Sequence, residues 1–300
     1  DYGDGIISPN RKPTDTGKWG GVIILGNAIV GEDGGSDDIE GIAEGYAWTS
    51  YGGSDDADSS GSFSYVSIRH SGTQLAGGDE IQGLTLGGVG SGTDLNNIEV
   101  VGSNDDGVEI FGGAAVLTDI LILNQRDDAI DIDQAYAGTI DGALVVLTAA
   151  SDHGFEIDGP EGSATGRFTL KNATVFGATD DCDAEGVDGE MADFRKGVTG
   201  DVSNILFRDF AGGKDVELDA SADAANYTAG TLTFANIDIM HPISGGSVCS
   251  NVETLNQIFD DKSDESTFEA DALTFAEIVK EQKQGNGVDT SVFAWTFYAR

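Results

Sequence analysis

The feature that most constrains this chain is a short strand pattern that recurs along it. Leu95-Asn-Asn-Ile-Glu-Val100, Leu117-Thr-Asp-Ile-Leu-Ile122, Leu170-Lys-Asn-Ala-Thr-Val175, Val202-Ser-Asn-Ile-Leu-Phe207 and Phe234-Ala-Asn-Ile-Asp-Ile239 all read apolar, any residue, Asn or Asp, apolar, any residue, apolar. Weaker copies are Phe63-Ser-Tyr-Val-Ser-Ile68 and Ile140-Asp-Gly-Ala-Leu-Val145. The Asn/Asp positions 97, 119, 172, 204 and 236, with Gly142 filling the gap, are spaced by 22, 23, 30, 32 and 32 residues. Unequal spacing with a constant strand is what a solenoid requires, because stacked strands must keep step while the connecting loops vary. The alternating apolar positions bury one face. The Asn positions are expected to mark a bend where side-chain amides hydrogen-bond along the stack.

A second strand keeps step with the first. Its copies are Gly107-Val-Glu-Ile110, Ala129-Ile-Asp-Ile132, Gly154-Phe-Glu-Ile157, Gly186-Val-Asp-Gly189 and Asp215-Val-Glu-Leu218, with Glu109, Asp131, Glu156, Asp188 and Glu217 at the acidic position. Two repeats in step predict an all-β, parallel β-helix. Right-handed winding is chosen because parallel crossovers are nearly always right-handed. Residues 1–249 are expected to form the solenoid, starting from the strand at Trp19-Gly-Gly-Val-Ile-Ile-Leu25, with a Gly/Asp/Ser-rich surface loop at 31–60. Residues 250–300 are read as a partly helical C-terminal cap. Capping boxes at Ser250-Asn-Val-Glu253 and Ser266-Thr-Phe-Glu269 open two helices. The second carries Phe268, Ala272, Phe275 and Val279 on one face and stops at Gly285, and Val292–Tyr298 supplies a final strand.

Composition narrows the function classes. There are 53 acidic residues against 15 Lys and Arg, a net charge of −38, which repels nucleic acid and anionic lipid and attracts cations. No apolar run is long enough to span a bilayer, so membrane insertion is not expected. The first residue is Asp, which is read as the start of a processed export product. Cys182 and Cys249 are then read as a disulfide, whose loop closure would contribute about 4 kcal/mol, against the alternative of two buried free thiols. No covering helix precedes the strand around Val22, so its open edge implies upstream coils, a local cap by residues 1–18, or head-to-tail contact with another subunit.

Several stretches resemble the secreted or surface-attached right-handed β-helix proteins of Gram-negative bacteria. They are Asp4-Gly5 with Ser8-Pro9-Asn10-Arg11, Trp19 to Gly26, Asp55-Asp56 before Gly61-Ser-Phe-Ser-Tyr-Val66, Leu84 to Gly92, Asp105 to Gly113, and Asp127 to Ile132. The resemblance implies the fold, and a location outside the cell or at the surface of a Gram-negative bacterium. It implies no established reaction. A looser likeness to polygalacturonase-type hydrolases rests on Asp105-Asp106 and Asp127-Asp128, but the Gly-His-Gly of those enzymes is missing.

The residues with the most chemistry form an acidic ladder. Asp105, Asp106 and Glu109 fall in one coil, Asp127, Asp128, Asp131 and Asp133 in the next, and Asp152, His153, Glu156 and Asp158 in the third. Stacking places equivalent carboxylates about 4.8 Å apart, where two unit charges repel by roughly 0.9 kcal/mol even in water. Bound Ca²⁺, protonation, or outward splaying would relieve that repulsion. These carboxylates, His153 excepted, are therefore the expected ligands of a structural Ca²⁺. His153 is either a ligand or a variation within the ladder. A second acidic run, Asp180-Asp181-Cys182-Asp183-Ala-Glu185, is either a Ca²⁺ loop or an acidic turn. Nucleophilic catalysis has little support, with three histidines and no serine elbow. A lyase base would fall to Arg126, beside Asp127. The expected function is a non-enzymatic surface solenoid for adhesion, ligand capture or assembly, with a glycan or surface partner. A glycoside hydrolase or polysaccharide lyase is the alternative.

Overall fold

The computed structural model describes residues 10–42, 46, 48–75, 81–178, 189–210, 212–244, 247–248 and 253–296. Cys182, Cys249, the run 180–185 and Asp188 lie outside them.

The chain forms a parallel β-helix built from two eight-stranded sheets. One sheet stacks the short strands Val22–Leu25, Leu84–Gly87, Val108–Phe111, Ile130–Asp133, His153–Asp158, Glu190–Arg195, Val216–Leu218 and Phe259–Asp261. The other stacks Ser62–Arg69, Asp94–Val101, Val116–Leu123, Thr139–Val146, Phe168–Phe176, Gly200–Arg208, Leu232–Met240 and Ala276–Ile278. Pairing within both is parallel and without slip: Val108 aligns with Ile130, and Leu95 with Leu117. Between the sheets runs one continuous core. It is filled by the inward positions of every coil, such as Leu84, Val108, Ile130 and Phe155 from one sheet and Ile98, Ile120, Ala143 and Ala173 from the other. Each Leu or Ile so buried contributes about 1.5–3 kcal/mol.

The bend in the long strands falls where the Asn/Asp repeat places it. Asn97, Asp119, Asn172, Asn204 and Asn236 all have φ between +53° and +58°, and Gly142 has +90°. A left-handed residue costs an ordinary side chain roughly 1–2 kcal/mol, which Asn, Asp and Gly largely avoid. The amides also chain along the stack. Asn236 Nδ2 donates to Asn204 Oδ1 (3.2 Å), Asn204 Nδ2 to Asn172 Oδ1 (3.1 Å), and Asn172 Nδ2 to Asp141 Oδ1 (2.6 Å).

Four local expectations are corrected. The ladder position of the fourth coil belongs to Asp193, which aligns between Glu156 and Glu217, and not to Asp188. The loop at 31–60 is more than surface. It contains the antiparallel pair Asp37–Asp38 and Ser50–Tyr51, and its Ile39 and Tyr51 form a small core with Val30 and Phe111 on the outer face of the short-strand sheet. The β-helix also continues beyond residue 249, since Phe259–Asp261 and Ala276–Ile278 add the last strand to each sheet.

The helices differ from expectation as well. The first of the two expected helices is Leu255–Ile258, led by Thr254, whose N–H donates to Gln257 Oε1 (3.1 Å). The second, Phe268–Phe275, ends ten residues before Gly285 because Ala276 turns into the sheet. A further helix, Ser221–Ala229, closes on Gly230 in the left-handed region. Val292 lies in a 3-10 turn, Thr290–Phe293, where a final strand was expected. Among the described residues no helix is long and apolar enough to cross a membrane.

Candidate metal centre

Alternation along the short strands turns Val108 and Ile110 into the core and Glu109 outward, and the parallel register repeats this in each coil. The outward line runs Thr85, Glu109, Asp131, Glu156, Asp193, Glu217, Asp260. Two residues before the aligned Val108, Ile130 and Phe155, Asp106 and Asp128 stack with His153. Asp128 N–H donates to Asp106 Oδ1 (2.9 Å), and His153 N–H to Asp128 Oδ1 (2.6 Å). His153 therefore occupies the third rung of the Asp106–Asp128 line.

In the N-terminal half these carboxylates are covered. Asp105, Asp106, Glu109, Asp128, Asp131 and Asp133 are all buried. The cover is the loop that follows Val22–Leu25. Tyr51 lies over Gly87, where any Cβ would stand 2.7 Å from its ring, and its hydroxyl donates to Gln134 Oε1 (3.0 Å). Gln134 Nε2 donates in turn to Asp37 Oδ2 (3.3 Å), and its backbone oxygen accepts from Gly31 N–H (2.7 Å). The charge of Glu40, from the same loop, acts on Glu109.

Burial and mutual repulsion push the carboxyl pKa values up, with burial the larger cause throughout. Glu109, Asp131 and Asp106 are held well above the ordinary carboxylate range. Asp133 is pushed up to about 7 by burial and Asp158, against Lys196, and Glu156 to about 8 by burial and Asp128, against Arg195. Burial alone would lower His153, but the Asp128 hydrogen bond (Nδ1 to Oδ1, 2.8 Å) and three surrounding carboxylates raise it to about 9, so the ring carries charge at neutral pH.

The protein's own cations neutralise only part of the ladder. Arg195 bonds Glu156 and both oxygens of Asp158, at 2.7 and 2.9 Å for the latter. Lys196 reaches Asp158 (2.7 Å), Glu161 (3.5 Å) and Asp133 (3.6 Å). These contacts outweigh burial and hold Asp158 below its ordinary value. Further on, Lys262 pairs with Glu217 and lies 3.7 Å from Asp219. His153 serves Asp128. The trio Asp106, Glu109 and Asp131 has no ion pair among the described residues, and Glu109 Oε2 and Asp131 Oδ1 are buried without a hydrogen-bond partner.

One oxygen from each of Asp106, Glu109 and Asp131 lies within 4.8 Å of the others. An ion at their centre would stand no more than about 2.8 Å from each, close to the 2.3–2.6 Å range of Ca²⁺–oxygen bonds. Two neighbouring groups, Asp105–Asp106–Asp127 and Asp127–Asp128–Asp152, meet the same limit, as do Asp128–His153–Glu156 and Asp193–Glu217–Asp219. Of the ten carboxylates expected as ligands, eight thus fall into such clusters. Asp133 and Asp158 are turned instead toward Lys196 and Arg195. Asp193, Arg195 and Lys196 were not read from the sequence. Ala192-Asp-Phe194 does carry the apolar-acid-apolar signal, and the glycine of Val187-Asp-Gly189 breaks it. Arg126, the candidate base, is exposed, and Arg195 is the guanidinium within the ladder.

The fold agrees with the comparison to known families. Residues 6–298 match the family model of the pectate-lyase-like beta helix domain. No curated protein and no solved structure matches the chain. The family match spans nearly the whole chain, and the paired sheets of parallel strands are those of a β-helix; the chain belongs to the pectate-lyase-like β-helix family.

Proposed function

We propose that this protein is a non-enzymatic β-solenoid of the cell exterior or surface, stabilised by Ca²⁺ on its acid ladder, that captures ligands or adheres through its rigid faces. The observation that carries the reading is the buried trio Asp106, Glu109 and Asp131, which has two partnerless oxygens and no cation among the described residues, although later coils set Arg195 on Glu156 and Lys262 on Glu217 along the same line. An all-oxygen, irregular donor set suits Ca²⁺, which accepts six to eight ligands, better than Mg²⁺, which demands a near-ideal octahedron. Because a cation that binds only the folded state stabilises it, millimolar Ca²⁺ is expected to raise the melting midpoint above that in chelator, and Mg²⁺ to do so less. Identical melting curves in chelator and in Ca²⁺ would refute the cation reading.

A polysaccharide-active enzyme is the second reading. It is favoured by the family, and by the cluster of Asp128, His153 and Glu156 with Arg195 beside it. Its test is a screen for reducing ends and unsaturated sugars. Turnover that disappears in Asp128→Asn would establish it.

A further inference from the structure

The hairpin that covers the acid ladder carries a feature that neither the ladder nor the core uses. Tyr46 and Trp48 stack on each other at 5.4 Å between ring centroids and 26° between planes, yet they are 55% and 64% exposed. Two large aromatics paired in solvent contribute little to folding, and clustered exposed apolar surface marks interaction sites. The pair is held in place. Thr49 is fully buried, its N–H and hydroxyl both donate to Tyr46 O (3.0 and 2.7 Å), and the hydroxyl also reaches Asp38 Oδ1 (3.2 Å). Ile39 N–H donates to Thr49 O (2.9 Å), and the next residues, Ser50 and Tyr51, pair with Asp38 and Asp37. The platform is therefore fixed to the solenoid through the small core of Val30, Ile39, Tyr51 and Phe111.

Its charge surroundings select the ligand. Asp38, which accepts from Thr49 beside Trp48, and its neighbour Asp37 lie on the same hairpin, within a chain of net charge −38. A polyanion is repelled there, and a neutral ring gains only stacking. A ligand with an ammonium group gains the field of the carboxylates and the attraction of a cation to the aromatic faces. Each ring keeps one face outside the stack, a flat aromatic surface that matches the flat apolar face of a pyranose.

We infer that Tyr46 and Trp48 form a binding platform for an amine-bearing sugar chain, with the rings stacking on the sugar and the hairpin carboxylates receiving its ammonium groups. This site is separate from the cation site and does not depend on Ca²⁺ as a ligand. The test is calorimetric titration of the full chain, in Ca²⁺, at a pH where the amines are charged, with a glucosamine oligosaccharide, its N-acetylated counterpart, and choline chloride as a small ammonium without a sugar ring. The glucosamine chain is expected to bind at least tenfold more tightly than either other probe, and more weakly as salt rises. Trp48→Ala, at an exposed position, is expected to leave the melting midpoint unchanged and weaken binding about tenfold, with Trp48→Phe retaining most of it. Equal binding of the acetylated chain, stronger binding of choline, or binding that survives Trp48→Ala would overturn the inference.

Discussion

Each rung of the ladder sets one carboxylate against its neighbours, and its protonation state decides whether it stabilises the fold. Glu109 is a buried acid whose ionised form is opposed by burial and by Asp133. Removing its charge should help the cation-free protein and harm the loaded one. We expect Glu109→Gln to raise the melting midpoint in chelator by a few degrees, the effect of relieving about 1–3 kcal/mol. The same change should abolish most of the further rise that Ca²⁺ gives the wild type. Thermal melts of both proteins in chelator and in Ca²⁺ check both halves.

A second residue-scale effect lies away from that trio. Asp215 is pushed up to about 7, first by burial and then by Glu217 and Glu190. Its folded pKa exceeds its unfolded value, so the stability it contributes is complete below about pH 4 and is lost as pH rises through 7. Wild-type protein should therefore lose more stability than Asp215→Asn between pH 5 and pH 8. Partial exposure makes the difference small, and paired urea titrations at the two pH values would measure it.

At the scale of the element, the bend of the long strands separates backbone conformation from side-chain bonding. Asn204 has φ +57° and takes part in two amide bonds of the stack. Asn204→Gly keeps the left-handed turn and loses the amides, while Asn204→Ala loses the amides and strains the turn. The alanine variant should be less stable than the glycine variant by about 1 kcal/mol, and both less stable than wild type. Equilibrium urea unfolding of the three proteins provides the measurement.

The same element shows why this much was legible in sequence. A left-handed residue inside a strand admits few side chains, so the bend writes Asn, Asp or Gly at a fixed place in each coil. Alternation writes the apolar positions around it. Tyr65, with φ +55°, is the copy that breaks the rule, and its ring sits edge-on to Trp295. The cover over the ladder left no such mark, because it depends on Tyr51 meeting the space above Gly87, a contact with no period. Nor were the cations legible. Arg195 and Lys196 read as ordinary charged residues until register sets them beside Asp158.

For the whole molecule, the solenoid is quasi-one-dimensional, with each coil touching its neighbours and little else. Residues 279–296 change that. Val279 N–H bonds Ile239 O, Gly287 N–H bonds Asn204 O, and Val288 N–H bonds Thr174 Oγ1. Val288 and Phe293 then pack on Leu121 and Leu144, and Trp295 reaches Tyr65. The segment thus runs back across the outer face of the long-strand sheet, from its last full-length strand to its first. A trace of it stood in the sequence: Leu121, Leu144 and Leu206 fill outward positions where a solvated strand would carry polar residues. Phe293 is fully buried in this contact, so Phe293→Ala should cost about 3–5 kcal/mol. Because the strap links coils that do not otherwise touch, the loss should also divide the unfolding. Trp19, whose indole bonds Arg69 O, and Trp48 and Trp295 all sit toward the first coils. Tryptophan fluorescence therefore reports that end, while backbone circular dichroism reports every coil. In urea the wild type should give one coincident transition by both probes. Phe293→Ala should separate them, with fluorescence changing first. Coincident curves at a lower midpoint would show that the strap adds stability without coupling the two ends.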